Sequence, residues 1–136
     1  MKSISKKKKI RKRKTGRTFT IKDPIYLTEH MICCGIGEEL AQKKWQKKFK
    51  LKGEIVPNND SGGRTFFKDK YGTCLVHFSE RVPGGGVVCH EAIHVAAHVL
   101  RRAGVDIGEE AAEEALAYYV SWVVREIGRI VWWKRQ

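Results

Sequence analysis

The chain has 136 residues, of which 42% are hydrophobic and 31% are charged, and it carries a formal net charge of +12. This length is enough to bury one hydrophobic core, so we predict a single domain. No apolar run is long enough to span a bilayer, which argues against an integral membrane protein.

The positive charge is concentrated at the N-terminus. Residues 1–22 contain 11 basic and no acidic side chains, so residues 23–136 hold 16 basic against 15 acidic ones. We predict a disordered basic arm over 1–22 and one folded domain over 23–136. The arm lacks the apolar segment of a secretory signal, so we expect a cytoplasmic protein. Such an arm is expected either to be a solubilising tail or to bind nucleic acid non-specifically through Lys6, Lys7, Lys8, Lys9, Arg11, Lys12, Arg13 and Lys14.

The first predicted elements of the domain are a strand over residues 25–36, which are apolar with few breaks, and a helix over 38–51. The lysines of this helix are expected to face solvent or an acidic partner. The cysteines form no CxxC pair and lie in apolar runs, which predicts buried, reduced thiols at Cys33, Cys34, Cys74 and Cys89.

A β-hairpin is predicted next, with strands over residues 64–68 and 73–79 joined by a glycine-containing turn. The second strand alternates in a way that is typical of a half-buried strand. An exposed edge of this hairpin could pair with an extended peptide. His77 either lines that cleft or, as is commoner for a strand histidine, faces solvent.

The pattern H-E-x-x-H follows, formed by His90, Glu91 and His94. Residues four apart lie one turn apart on the same face of a helix, so both imidazoles can reach one metal ion while the glutamate activates a water molecule. From the composition of the chain, an accidental match is expected only about 0.014 times. His98 continues the same polar stripe of an otherwise apolar helix. A set of hydrogen-bonded core histidines is the alternative interpretation.

A second helix is predicted after the helix stop at Gly104, and its first turns are rich in acidic residues, as the helix dipole favours. We expect one of these glutamates to face the first helix and to serve as a third metal ligand. Because a register error of one residue would exchange the candidates, Glu110, Glu113 and Glu114 all stay open.

These two helices resemble the zincin metallopeptidases of gluzincin type, in which a glutamate ligand on a second helix follows HExxH by about twenty residues. Glu114 stands 20 residues after His94, and the run Glu114-Ala115-Leu116-Ala117-Tyr118 is similar to the helix start of small phage and prophage metallopeptidase-like proteins. The resemblance covers residues 63–124 and is specific at the two helices only.

The resemblance implies an α+β fold in which a small mixed or antiparallel sheet packs on the HExxH helix and on a long C-terminal helix. It also implies a Zn²⁺ ion held by His90, His94 and Glu114, with Glu91 as the general base of peptide-bond hydrolysis. The larger gluzincins have an aspartate one turn after the ligand glutamate, where this chain has Tyr118. The Tyr118 hydroxyl would orient a ligand imidazole or stabilise the oxyanion, or the residue is a core tyrosine.

Two other function classes remain at this stage. The first is a nucleic-acid-associated virion or host-takeover protein with a structural metal site, and the second is a metal-free zincin-like interaction module. A phage origin would place the protein in the bacterial host cytoplasm or in the virion. The substrate and the oligomeric state stay open.

Overall fold

The computed structural model describes residues 16–59, 61–68 and 71–133. Its main elements, in chain order, are β1 (Arg17–Lys22), β2 (Glu29–Cys34), α1 (Glu38–Phe49), β3 (Gly63–Phe67), β4 (Cys74–Phe78), α2 (Gly85–Arg102) and α3 (Glu113–Gly128). A short 3-10 turn, Glu110–Ala112, leads into α3, and a π-helical segment, Arg129–Trp133, follows it. The predicted α+β class and the long C-terminal helix are confirmed.

The four strands form one mixed sheet in the order β1-β2-β4-β3. Strands β2 and β4 are parallel, whereas β1 pairs with β2 and β3 pairs with β4 in antiparallel fashion. The predicted hairpin is therefore present as β3 and β4. Strand β3 lies at one edge of the sheet.

Helices cover both faces of the sheet, so the domain has two cores. On one face, α2 and α3 pack on Ile32, Val76 and Phe78, and on the other face α1 packs through Trp45 on Leu75. Every residue of β4 is buried. The prediction of a half-buried strand at 73–79 was therefore wrong, because β4 is a central strand whose alternate side chains enter two different cores.

The predicted N-terminal boundary was also wrong. Residues 17–22 belong to the sheet as β1, because Phe19 and Ile21 alternate with polar residues and contribute to the core under α2 and α3. The Arg17 guanidinium donates a hydrogen bond to the carbonyl oxygen of Ile130 at 2.9 Å, which joins β1 to the C-terminal segment. The remaining arm prediction, including the polyanion contacts of Lys6 to Lys14, concerns residues outside those that the structure describes.

The strand predicted over 25–36 is shorter and begins at Glu29. Residues 23–28 form a turn instead, because the Asp23 carboxylate accepts hydrogen bonds from the amides of Ile25 (2.6 Å) and Tyr26 (3.2 Å). Such side-chain capping competes with strand pairing.

The helices agree more closely with the prediction. Helix α1 ends at Phe49, where Lys50 adopts a left-handed conformation with φ of 54°. Helix α2 contains the HExxH pattern and ends before Gly104, whose φ of 80° suits glycine. No helix in the described part of the chain combines the length and apolarity needed to cross a membrane.

Candidate metal centre

His90 and His94 lie on the exposed side of α2, one turn apart. Their Nε2 atoms are 3.3 Å apart, and the ring planes meet at 66° with centroids separated by 5.1 Å. The separation allows a hydrogen bond between one protonated and one unprotonated ring nitrogen. It equally allows both nitrogens to bind one metal ion.

Glu91 brings a carboxylate to the two imidazoles. One ligand atom from each of His90, Glu91 and His94 lies within 4.8 Å of the other two, so the three side chains form a group that could hold a metal ion. We call this group the HEH cluster. Unlike the histidines, Glu91 is buried, with 3% of its surface exposed. Burying a carboxylate costs free energy unless the group is paired or hydrogen-bonded. The residues around Glu91 therefore determine whether that cost is offset.

Strand β3 supplies the only hydrogen-bonding side chain that the described residues offer to this carboxylate. The Thr65 hydroxyl lies 3.3 Å from Oε1 of Glu91 and 3.4 Å from the Glu91 carbonyl oxygen, so it can donate to either. The second carboxylate oxygen, Oε2, is buried and has no hydrogen-bond partner among the described residues. An unpartnered buried acceptor costs about 1–3 kcal/mol unless a ligand, an ion or a water molecule satisfies it.

A glycine lets β3 approach α2 at this point. A Cβ atom on Gly63 would lie 2.7 Å from Cγ2 of Val87, which is closer than packed atoms tolerate, and 3.1 Å from Cγ of Glu91, which is a tight contact. The edge strand and the HExxH helix therefore touch at the level of the HEH cluster, and Gly63 is what permits that contact.

The third histidine of the predicted polar stripe is separate from the cluster. His98 is buried, its Nε2 atom lies 3.0 Å from the carbonyl oxygen of Tyr71, and its ring stacks on Phe67 at 4.6 Å. His98 is thus a hydrogen-bonded core histidine, whereas His90 and His94 are open to solvent.

The predicted third ligand on α3 is not part of the HEH cluster. Glu110, Glu113 and Glu114 are all exposed, and Glu113 and Glu114 form the first turn of α3. The carboxylate that the structure brings to the imidazoles is that of Glu91. A ligand role for Glu114, or for either of the other two glutamates, stays a prediction.

Tyr118, the predicted orienting or oxyanion residue, has 57% of its surface exposed. It makes no hydrogen bond with His90 or His94 in the described part of the chain. It is not a core tyrosine; that position belongs to the next residue, Tyr119, which is 2% exposed. The Tyr118 role stays a prediction.

A buried polar network that the sequence analysis did not identify surrounds Tyr119. The Tyr119 hydroxyl lies 3.0 Å from Nε2 of His30, and the amide of Cys74 donates to Nδ1 of the same ring at 3.0 Å. Thr28 completes the contacts at 3.2 Å from Nε2. Burial lowers the pKa of His30 to about 4, although the nearby Asp23 carboxylate acts in the opposite direction. Burial likewise raises the pKa of the Tyr119 hydroxyl. We call this group the His30 network.

His77 lies on the other face of the sheet, away from the HEH cluster. It is buried under α1, where its Nε2 contacts the carbonyl oxygen of Ile36 and its Nδ1 is 3.9 Å from Oε1 of Glu38. Glu38 is also buried and lies 3.5 Å from the Arg64 guanidinium. The expectations that His77 faces solvent or lines the metal cleft are therefore both wrong, because β4 has no solvent-facing side.

The described cysteines are free thiols, as expected, but only three of the four are buried. Cys89 is exposed, which corrects the prediction for that residue, because α2 has one face towards solvent. Burial raises the pKa of Cys34 to about 12, so this thiol is unreactive as a nucleophile at neutral pH.

Comparison with protein-family models, with curated proteins and with solved structures gave no match.

Proposed function

We propose that the protein is a zinc-dependent peptidase in which His90 and His94 bind the metal and Glu91 is the general base. One observation carries the proposal: two accessible imidazole nitrogens 3.3 Å apart stand beside a buried carboxylate with an unpartnered oxygen. A ligand, an ion or a water molecule at the HEH cluster would satisfy that oxygen. A hydrolytic role uses it.

The spacing of the imidazoles fits zinc. With Zn–N bonds of about 2.0–2.1 Å and tetrahedral angles, two nitrogen ligands lie about 3.3–3.4 Å apart. The Nε2 atoms already have this separation, so binding would require little movement of either side chain. When bound, zinc supplies the Lewis acidity that activates a water molecule and polarises a carbonyl group.

Glu91 is suited to move a proton. Its Oε1 lies 3.3 Å from the Thr65 hydroxyl, which can hold the carboxylate, and Oε2 is buried without a partner among the described residues. We assign Oε2 as the oxygen that would accept a proton from the attacking water. Glu91 would then pass that proton to the leaving nitrogen, so that the products separate as an acid and an amine. Burial under β3 keeps the carboxylate in place between the two transfers.

The edge strand offers a place for the substrate. β3 pairs with β4 on one side only, which leaves its other backbone edge without a strand partner in the described part of the chain. An extended peptide added to this edge would form main-chain hydrogen bonds with β3. Because Gly63 and Thr65 of β3 contact α2 at Glu91, a peptide in this position would pass beside the HEH cluster.

We retain Glu114 as the proposed third ligand, with Tyr118 one turn further along α3. Helices α2 and α3 pack together, and the first turn of α3 is acidic. The ligand choice is testable by measuring the zinc Kd of Glu110→Gln, Glu113→Gln and Glu114→Gln. Only the variant that loses the ligand should weaken binding, and the other two are its matched controls.

The peptidase proposal is tested by combining metal analysis with turnover. Purified protein should bind one zinc ion per chain and cleave members of a peptide library. Glu91→Gln should lower turnover by about 10²–10⁴-fold, the contribution of a general base, while zinc remains bound. Full activity in this variant, or cleavage unaffected by zinc removal, would contradict the assignment. Absence of bound zinc would leave only the metal-free interaction module.

A second candidate function rests on the 11 basic and no acidic residues in positions 1–22. We propose that this segment binds nucleic acid or another polyanion, as in a phage-derived protein that acts in the host cytoplasm or in the virion. Deletion of residues 1–15 should abolish DNA binding and spare zinc binding, and the wild-type affinity should fall steeply with salt. DNA binding that persists in high salt would contradict an electrostatic mechanism.

A further inference from the structure

A pocket of about 320 Å³ opens beside the HEH cluster, along the second half of α2. Its lining residues are His94, Ala97, His98, Arg101 and Arg102 of α2 and Phe67 of β3. His94 belongs to both the pocket and the cluster, so the two are continuous. No acidic residue is among the lining residues that the structure describes, and Arg101 contributes a guanidinium group to that lining.

Arg101 is the residue that gives this pocket a chemical preference. It is exposed, and no carboxylate within the described ranges forms an ion pair with it. A cation in the last turn of a helix interacts favourably with the helix dipole, and this accounts for an arginine at the end of α2. This interaction with the helix dipole does not use the planar set of donors on the Arg101 guanidinium. Those donors match a carboxylate in bidentate geometry.

The position of Arg101 relative to the cluster sets a distance along a substrate. Arg101 is seven positions after His94, which places the two residues on the same face of α2 and about 10 Å apart along its axis. Strand β3 runs in the same direction as α2, since Gly63 lies beside Glu91 and Phe67 stacks on His98. An extended peptide advances about 3.3 Å per residue, so about three residues would span the distance.

We infer that this pocket binds a carboxylate about three residues from the scissile bond, so that the substrates are acidic peptides. The inference rests on the proposed peptidase function, because it takes the ligand to be a peptide laid along β3. Arg101 binds the carboxylate, while the half-exposed ring of Phe67 and the Ala97 methyl group provide apolar contact for the methylene groups of a glutamate. The carboxylate belongs either to an acidic side chain or to the C-terminus of the peptide.

Measurements of peptide binding test the carboxylate site at Arg101 without depending on turnover. One neutral, N-acetylated and C-amidated decapeptide is labelled and compared with versions that carry a single Glu or a matched Gln at each position. A further version has a free C-terminal carboxylate. Kd values are measured by fluorescence anisotropy under two conditions: the full chain in EDTA, and the Glu91→Gln variant with zinc. Each measurement is repeated after adding the Arg101→Gln substitution. Arg125→Gln, which changes an exposed arginine of α3 outside the pocket, is the matched control.

We expect one position at which the Glu peptide binds about fivefold more tightly than the matched Gln peptide. This ratio is at the upper end of the free energy that a solvent-accessible ion pair contributes. Arg101→Gln should abolish this preference and Arg125→Gln should leave it unchanged. If only the free C-terminus gives the gain, the terminal carboxylate is the ligand. A preference that survives Arg101→Gln but vanishes in EDTA would mean that the carboxylate binds the metal, and it would overturn the inference.

Failure of the inference and failure of the proposed function give different results. Hydrolysis by the wild-type protein without any Glu preference in binding would overturn the Arg101 pocket alone. A Glu preference that depends on Arg101, in a protein that hydrolyses none of the peptides, would overturn the peptidase function while the carboxylate site remained.

Discussion

The HEH cluster and the His30 network are both built around histidines that the same helices and sheet position, yet they differ in how their polar atoms are satisfied. In the His30 network, both ring nitrogens have protein partners within 3.2 Å, and the ring is completely buried. In the HEH cluster, the imidazoles face solvent, and a buried carboxylate oxygen has no hydrogen-bond partner among the residues that the structure describes. The comparison separates a polar group that stabilises the fold from one that is available for a ligand.

The largest expected effect concerns the histidines of the HEH cluster. His90→Ala or His94→Ala should weaken zinc binding by more than about 100-fold, because loss of a direct ligand exceeds the 10–100-fold effect of losing a group that only orients one. The change is measured by competition with a chelator of known affinity. Ile93→Ala, a half-exposed neighbour on α2 that is outside the cluster, is the control. Equal zinc affinity in all three variants would remove the basis for a metal centre.

The His30 network should instead control stability against acid. The pKa of His30 is about 4 in the folded chain against 6.5 for an unperturbed histidine, so only the unfolded chain binds this proton between those values. The free energy of unfolding should therefore fall by up to about 3 kcal/mol as the pH decreases from 6.5 to 4. Urea unfolding across this range measures the change.

The control for this prediction is His30→Asn, which cannot take up that proton. The variant should be less stable at pH 7, because it loses buried hydrogen bonds, but the slope of its stability between pH 6.5 and 4 should be smaller than that of the wild type. Parallel curves for the two proteins would contradict the role assigned to His30.

Contact between β3 and α2 should be sensitive to a single methyl group. Gly63→Ala places a Cβ atom 2.7 Å from Val87 and should lower stability by about 1–3 kcal/mol, the usual cost of overpacking. Because the same atom crowds Glu91, hydrolysis should fall as well. Gly62→Ala is a closely matched control, since its Cβ atom would meet nothing within 4 Å. Equal effects of the two substitutions on thermal unfolding would contradict close packing at Gly63.

The smallest expected effect is that of the hydroxyl that holds Glu91. Thr65→Val keeps the shape of the side chain and removes the donor to Oε1, so kcat should fall by about tenfold, which corresponds to one hydrogen bond to a charged group. Thr65→Ser should restore most of the rate. A Thr65→Val variant with unchanged kcat would show that Glu91 is positioned by packing alone.

Local periodicity was sufficient to predict α1, α2 and the β3–β4 hairpin, and the HExxH spacing was sufficient to place His90 and His94 on one face. Features that depend on contacts between distant residues could not be predicted from the sequence. The burial of β4 depends on its parallel pairing with β2, and the contact between His30 and Tyr119 joins residues 89 positions apart. Neither leaves a local signal. The strand at 17–22 was missed because its charge resembled that of the preceding arm, although Phe19 and Ile21 already alternate with polar residues.

X-ray absorption at the zinc edge, on protein loaded with one equivalent of zinc, tests the central claim most directly. We expect two imidazole ligands at about 2.0–2.1 Å, with oxygen ligands completing a four-coordinate site. The imidazole signal should disappear in the variant with His90 and His94 both replaced by Ala. A spectrum of zinc surrounded by water alone, or one that the double substitution leaves unchanged, would contradict a metal centre at the HEH cluster.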